Sequence, residues 1–267
     1  MNRLFQTPSL WVNVMANAVF KASAFLLRDF GEIDHVKHIK RNIASFVKTA
    51  ENRTEQVLLA DLTKAYPCHN VVTKTQNLQN PDQNKTWIVN ALCGRENFAC
   101  GAPSFCISIA LEIQSSIQAC VIYDVLRDEM FWSEKNKGAF VNKQRIRVTN
   151  SDKNLIALTI SESLSQDRQQ NILSAPMAQT FSPSVLPLRS LGSPALDLAY
   201  VAAGRWNGCL VISQSIEDFA AGYLLVQEAG GFVTAWNKTE SLTYQSSLEL
   251  GYGLAASPDT HRWLRKL

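Results

Sequence analysis

The pattern of apolar and polar positions divides the chain into two regions of different character. In residues 1–148, two long helical patterns precede several short apolar segments rich in β-branched residues. In residues 149–267, short apolar segments alternate with helical ones. We therefore predict two lobes: a helix pair with an antiparallel sheet over 1–148, and an α/β lobe over 149–267.

Two helices are predicted at the beginning of the first lobe. The apolar stretch 10–27 is interrupted by polar residues, so it is interpreted as an amphipathic helix and not as a membrane span. Ser9 is its predicted N-cap, and Gly31 is expected just beyond its end. A second helix is predicted over 45–65 and ends before Pro67.

Strands follow these helices. Residues 75–85 are polar and are predicted to form a surface loop, while 87–90 form a buried strand that ends in a loop over 91–102. The turn 136–138 predicts a hairpin. The predicted strands of the second lobe are 155–161, 186–191, 210–212 and 232–236. Its predicted helices are 166–179, 195–203 and 217–229.

Composition and charge limit the classes of function. The 267 residues are 46% hydrophobic, enough for a substantial core. The 26 Lys and Arg residues against 23 Asp and Glu residues give a net charge of +3, which is too balanced for a nucleic-acid-binding surface. Six cysteines form no C-x-x-C pair, so free thiols in a reducing cytoplasm are expected. We predict a cytoplasmic protein without membrane or direct nucleic-acid contacts.

Two segments carry the candidate chemistry. Residues 87–98 read WIVNALCGRENF, and residues 217–231 read EDFAAGYLLVQEAGG. From the residues alone, the second segment is a helix with carboxylates in its first turn, where Asp218 interacts favourably with the helix dipole. With residues 192–205, GSPALDLAYVAAGR, these segments resemble the inositol monophosphatase family, in particular its bacterial SuhB-like branch. The resemblance extends over nearly the whole chain.

The resemblance implies a fold, an assembly and a chemistry. The fold is an α/β, two-lobed αβαβα sandwich of the sugar-phosphatase type, and the assembly is a homodimer. The chemistry is magnesium-dependent hydrolysis of a phosphate monoester such as inositol 1-phosphate. The family holds its magnesium ions with a Glu-Glu pair, two aspartates of a Pro-Leu-Asp-Gly-Thr loop, and an aspartate that begins a late helix.

This chain departs from that pattern at most of the positions concerned. Lys74 and Thr75 stand where the glutamate pair is expected, and Asn90 and Cys93 replace the two loop aspartates. Arg95 replaces the threonine that helps to hold the attacking water.

A few features of the family pattern remain. Asp218 is the main surviving metal ligand, and Gly94 keeps the shape of the loop. Glu51 stands for an aspartate and Arg41 for a lysine, while Val211 falls where a sugar-binding glutamate is expected. Losing carboxylates and gaining two cations, each changing the energy of the site by roughly 4 kcal/mol, should abolish magnesium binding. No cofactor is therefore expected, and a zinc site at Cys93 is disfavoured.

Several functions remain open at this stage. We favour a pseudo-phosphatase that acts through protein contacts, as the SuhB-like branch does with the transcription elongation machinery in antitermination. The alternative is a weakly active inositol-1-phosphate phosphatase. Within the cleft, Lys74, Arg95 and Asp218 either form an ion-pair network or are simply solvated. A third reading is metal-free anion binding by Arg41, Lys74, Gly94 and Arg95.

Overall fold

The structure, a computed structural model, describes residues 8–39, 42–80, 82–150, 155–160, 188–213, 215–235 and 252–265. Within these ranges helices pack against two β-sheets. This is the layered α/β architecture that the sequence predicts.

Three helices begin the described chain: α1 (Leu10–Gly31), α2 (Ile33–His38) and α3 (Ile43–Ala65). The hydroxyl of Ser9 accepts a hydrogen bond from the backbone N–H of Val12, as predicted for an N-cap. Gly31 is the last residue of α1, so its predicted place beyond the helix is wrong by one residue. Helix α3 starts two residues earlier than predicted because Asn42 caps it by accepting from the N–H of Ser45.

Helix α1 is long and apolar enough to cross a membrane by length and composition alone, the one such helix in the described part of the chain. Its inner face is fully buried in the same hydrophobic cluster as α3 and the first sheet. This face consists of Val12, Met15, Val19, Ala22 and Leu26. Such burial is expected of a core helix in a globular fold.

The first sheet follows the order β2-β1-β3-β4-β5-β6-β7-β8. Its strands are β1 (His69–Val72), β2 (Asn77–Leu78), β3 (Asp82–Cys93), β4 (Cys106–Ile113), β5 (Ser116–Asp124), β6 (Glu129–Glu134), β7 (Gly138–Val141) and β8 (Gln144–Ile146). All neighbours are antiparallel except β1 and β3, which run parallel. The predicted hairpin at 136–138 connects β6 and β7.

Two loop predictions in this region are wrong. The polar segment 75–85 contains β2 and the beginning of β3, because polar residues there pair with neighbouring strands at the end of the sheet. The predicted loop 91–102 holds the end of β3 and a short helix, α4 (Arg95–Cys100). Left-handed backbone at Gly94 and Gly101, with φ of +96° and +72°, bounds that helix on both sides.

The second sheet follows the order β10-β9-β11-β13-β12. Its strands are β9 (Ile156–Ile160), β10 (Leu188–Arg189), β11 (Gly208–Ile212), β12 (Phe232–Ala235) and β13 (Tyr252–Ala256), and its helices are α5 (Pro194–Ala202), α6 (Ile216–Glu228) and α7 (Pro258–Leu264). The described strands and helices agree with the predicted alternation, apart from shifts at their ends. The predicted helix 166–179 lies outside the described residues.

Two hydrophobic clusters define the layers. One joins α1 and α3 to one face of the first sheet. The other joins the opposite face of that sheet to α5, α6 and the second sheet. Because α5 and α6 pack between the sheets, a lobe boundary near residue 148 stays a prediction.

Candidate functional site

Asp218 lies at the beginning of α6, where the helix dipole favours a negative charge. Its side chain is only 2% exposed. One carboxylate oxygen, Oδ1, accepts a hydrogen bond of 2.8 Å from Nδ2 of Asn90, and the other, Oδ2, accepts one of 2.9 Å from the hydroxyl of Ser213. The ammonium Nζ of Lys74 lies 3.2 Å from Oδ1. Both oxygens of the surviving carboxylate are therefore engaged by groups of the chain.

The strand register explains why Lys74 and Asn90 meet. Strands β1 and β3 are parallel, with Val72 beside Ile88. Counting two residues further along the chain from each of these brings Lys74 beside Asn90. Helix α6 packs across β3 and β4 with its first turn at this height, where Ser108 donates to the backbone carbonyl of Glu217.

The loop that carries Lys74 is fixed by α3. Oε1 of Glu55 accepts hydrogen bonds from the hydroxyls of Thr73 and Thr75, at 3.0 and 2.6 Å, and from Nε2 of Gln76, at 2.8 Å. Thr75, predicted in the cleft, therefore interacts with α3. The side chain between the two threonines, Lys74, extends the opposite way to Asp218.

Asn90 donates a hydrogen bond where a metal ligand would supply an anionic oxygen. Its amide nitrogen donates to Asp218, and its amide oxygen Oδ1 accepts a hydrogen bond of 3.2 Å from the N–H of Leu92. An aspartate at this position would present two anionic oxygens, whereas the amide presents a donor towards Asp218. Asn90 thus stabilises the Asp218 carboxylate through a neutral hydrogen bond.

Cys93 is fully buried. The hydroxyl of Ser193 lies 3.3 Å from its Sγ and donates to its carbonyl oxygen at 3.0 Å. Across the ladder its partner is Cys106, whose sulfur lies 3.7 Å from the same hydroxyl. Burial, together with a hydrogen bond to Cys93, raises the pKa of the Cys106 thiol well above its ordinary value. Thiols in such surroundings are poor metal ligands.

Gly94 and Arg95 shape the other side of the cleft. A side chain at Gly94 would place its Cβ 2.7 Å from the carbonyl oxygen of Ser104, so only glycine fits. Arg95 does not reach Asp218: its Nη1 lies 3.5 Å from Oε2 of Glu51 on α3. Arg95 also borders a cavity of about 500 Å³ lined by Ile43, Ala44, Val47, Glu96 and Ala99. In the part of the chain that the structure describes, Lys74 thus pairs with Asp218, and Arg95 with Glu51. Arg41 lies outside the described residues.

A second carboxylate, Glu217, lies beside Asp218 and is also buried. Burial raises the pKa of Glu217, the negative charge of Asp218 raises it further, and the positive charge of Lys74 opposes the shift.

The donor set does not fit the family's magnesium ions. Magnesium requires several oxygen ligands in near-octahedral geometry. Among the described residues, no group of three or more His, Cys, Asp or Glu side chains could hold a metal ion. The remaining carboxylate already binds an ammonium, an amide and a hydroxyl.

Sequence reasoning missed several residues of this site. Ser213 and Glu55 lie in ordinary polar contexts, and only the folded chain brings them to Asp218 and the Lys74 loop. The sequence indicated Asp197 only as one residue of the segment 192–205, which carries the family resemblance. Its carboxylate is fully buried near Cys93, and neither oxygen has a hydrogen-bond partner of normal geometry among the described residues. The signal that could have identified this buried carboxylate is an aspartate inside the otherwise apolar sequence of α5.

Comparison with known proteins places this cleft in context. The model of the inositol monophosphatase family matches residues 9–266. An inositol-1-monophosphatase of Mesorhizobium japonicum is 37% identical over 247 residues, covering 91% of this chain and 92% of the relative. The Nus factor SuhB of Escherichia coli is 32% identical over 225 residues, covering 84% of each protein.

Solved structures agree with this result. The extragenic suppressor protein suhB of Bartonella henselae superposes with a TM-score of 0.81 at 31% identity, covering 97% of this chain and 98% of that one. The inositol monophosphatase of Anabaena superposes with a TM-score of 0.79 at 29% identity, covering 96% and 94%.

Proposed function

The chain belongs to the inositol monophosphatase family, and we propose that it is a member which has lost magnesium-dependent phosphate monoester hydrolysis and acts through protein contacts. The observation that carries the proposal is the state of Asp218. Its carboxylate is neutralised by Lys74, 3.2 Å away, in the cleft where a catalytic member would need free anionic oxygens. The cleft keeps the family's shape, and its charge no longer suits a divalent cation.

Hydrolysis of the phosphate ester also needs an activated water. In metal-dependent hydrolysis the cation lowers the pKa of that water and polarises the phosphoryl group. In this chain, the side chains that engage the Asp218 carboxylate include an ammonium, an amide and a hydroxyl, and the neighbouring carboxyl group, Glu217, is buried. None of the three donors is a general base at neutral pH, and Arg95 is paired with Glu51.

Anion binding without a metal is less favoured by the geometry. Phosphate would need Lys74 and Arg95 to direct their charges to a common point. Lys74 instead lies against Asp218, and Arg95 lies against Glu51. A phosphate entering the cleft would have to displace both carboxylates, which are buried.

A purified-protein assay tests the loss of hydrolysis. The protein is incubated with inositol 1-phosphate and with an aryl phosphate while MgCl2 is varied, and phosphate release is measured. We expect release at the background rate at every magnesium concentration, because the donor set does not fit the ion. The matched control is Asp218→Ala, which should give the same rate as the wild type. Magnesium-dependent turnover that disappears in Asp218→Ala would establish the alternative, a weakly active inositol-1-phosphate phosphatase.

The proposed protein contacts rest on the relatives. Among them are proteins named Nus factor SuhB, 31% and 32% identical to this chain. We propose a corresponding association with the transcription elongation machinery, which would also place the chain in the cytoplasm. On the resemblance to the family, we further propose that two chains of 29.7 kDa form a homodimer.

Affinity purification tests this association. The tagged chain is expressed in its own host, and RNA polymerase subunits and Nus-type factors are quantified in the eluate. We expect their enrichment, and equal enrichment with Asp218→Asn, since contact through the surface does not need the cleft. An eluate without these proteins contradicts the association. Loss of enrichment with Asp218→Asn, in a variant that remains folded, would instead connect binding to the cleft.

A further inference from the structure

The Asp218 carboxylate connects parts of the chain that are distant in sequence. Lys74 comes from the loop after β1, Asn90 from β3, and Ser213 from the segment after β11. The first two belong to the first sheet, and the third follows the central strand of the second sheet. The contact between the two sheets at this point is therefore polar, and its centre is one buried carboxylate.

A buried carboxylate is costly unless its charge is compensated. Asn90 and Ser213 are neutral donors and supply two hydrogen bonds. The positive charge at the carboxylate comes from Lys74, whose side chain is 27% exposed while that of Asp218 is 2% exposed. Glu217 adds a second acidic group, and the Lys74 charge acts on it as well.

The position of Lys74 is not left to a flexible loop. The loop 73–76 is held by three hydrogen bonds to one oxygen of Glu55, and the hydroxyl of Thr73 also accepts from the backbone N–H groups of Thr75 and Gln76. A fixed backbone reduces the entropy lost when the lysine side chain is ordered. The ammonium is thus pre-positioned for Asp218.

We propose that the ammonium of Lys74 is the resident cation of this cleft, which joins the β1 loop to the first turn of α6 and makes the fold independent of a bound metal. The inference deepens the proposed loss of hydrolysis and rests on it. In this role Lys74, which stands where the family has a glutamate, supplies the positive charge that completes the contact between the two sheets.

A double-mutant cycle tests this role. The thermal midpoints of the wild type, Lys74→Met, Asp218→Asn and the double variant are measured in the presence of EDTA. Lys74→Met leaves a buried charge without its cation, so we expect its midpoint to fall by about 5 °C. The double variant contains neither charge, so its loss should be clearly smaller than the sum of the two single losses.

Two control variants define the charge effect. Lys74→Arg keeps the positive charge and should stay closer to the wild type than Lys74→Met. The pair Lys137 and Glu134 offers a comparison cycle. Its ammonium lies 2.7 Å from a buried carboxylate, but the pair lies within one hairpin and the lysine side chain is 56% exposed. We expect weaker coupling there, since solvent screens the exposed partner. Additive losses in the Lys74 cycle would overturn the proposal.

The wild type provides a test that does not depend on a variant folding. Acetic anhydride acylates amines that it can reach, and the Lys74 ammonium lies 3.2 Å from Asp218 on a side chain that is only 27% exposed. We expect Lys74 to react more slowly than Lys48, which is exposed on α3. Equal rates at the two lysines would overturn the proposal. Neither result depends on hydrolysis: turnover by the wild type contradicts the proposed function, whereas additivity or equal acylation contradicts the role of Lys74 alone.

Discussion

At the scale of single residues, the cleft differs from a magnesium site in the sign of its groups. Lys74 brings a positive charge to Asp218, worth roughly 4 kcal/mol at 4 Å in an effective dielectric of 20 and less where the ammonium meets solvent. The sequence placed Lys74 and Asp218 in one cleft through the family resemblance, and left open whether they pair or are solvated. It could not predict that Arg95 turns to Glu51, because two nearby carboxylates compete for one guanidinium and only packing decides between them.

Asp197 allows a prediction at the same scale. Burial raises the pKa of its carboxyl well above the ordinary value, the neighbouring Cys93 adds to the shift, and the backbone N–H of Leu191 opposes it. The folded protein therefore binds this proton more tightly than the unfolded chain does. Stability is greatest below the unfolded pKa, about 3.9, and falls as the pH rises towards the folded pKa.

The variant Asp197→Asn removes this proton linkage. We expect the free energy of unfolding of the variant, minus that of the wild type, to increase between pH 4 and pH 7. The gain of the variant should be largest at the upper end of this range, because a buried carboxyl group that ionises carries an uncompensated charge, whereas the amide does not. Denaturant titrations at several pH values measure the difference. A difference that stays constant with pH would mean that Asp197 keeps an ordinary pKa in the fold.

At the scale of elements, the cleft depends on how β1, β3 and α6 are aligned. The start of α6 was predictable within one residue, since an N-cap and two acidic residues precede a helical apolar pattern. The beginning of β3 was not, because residues 82–86 are polar and form a strand only by pairing with β1 and β4. The anchoring of the loop 73–76 by Glu55 was equally hidden, since it joins residues 18 to 21 positions apart. Local pattern reasoning therefore recovers helices better than it recovers strands held by their neighbours.

At the scale of the whole molecule, the family's layered fold is retained, and the proposed loss of hydrolysis concerns the central cleft. The hydrophobic cluster between the two sheets holds α6 against the first sheet. The family resemblance was sufficient to predict this architecture because its matching segments are spread along the chain. Function did not follow from the fold, since the cleft has to be examined one side chain at a time.

The measurement that tests the central claim most directly is magnesium binding by the wild-type protein. Equilibrium dialysis against MgCl2 up to about 10 mM, well above the usual needs of a carboxylate-rich site, reports the number of ions held per chain. We predict no saturable binding at the cleft, and the same result for Asp218→Asn, because Lys74 already neutralises the surviving carboxylate. Saturable binding of one or more ions per chain that is lost in Asp218→Asn would contradict the account.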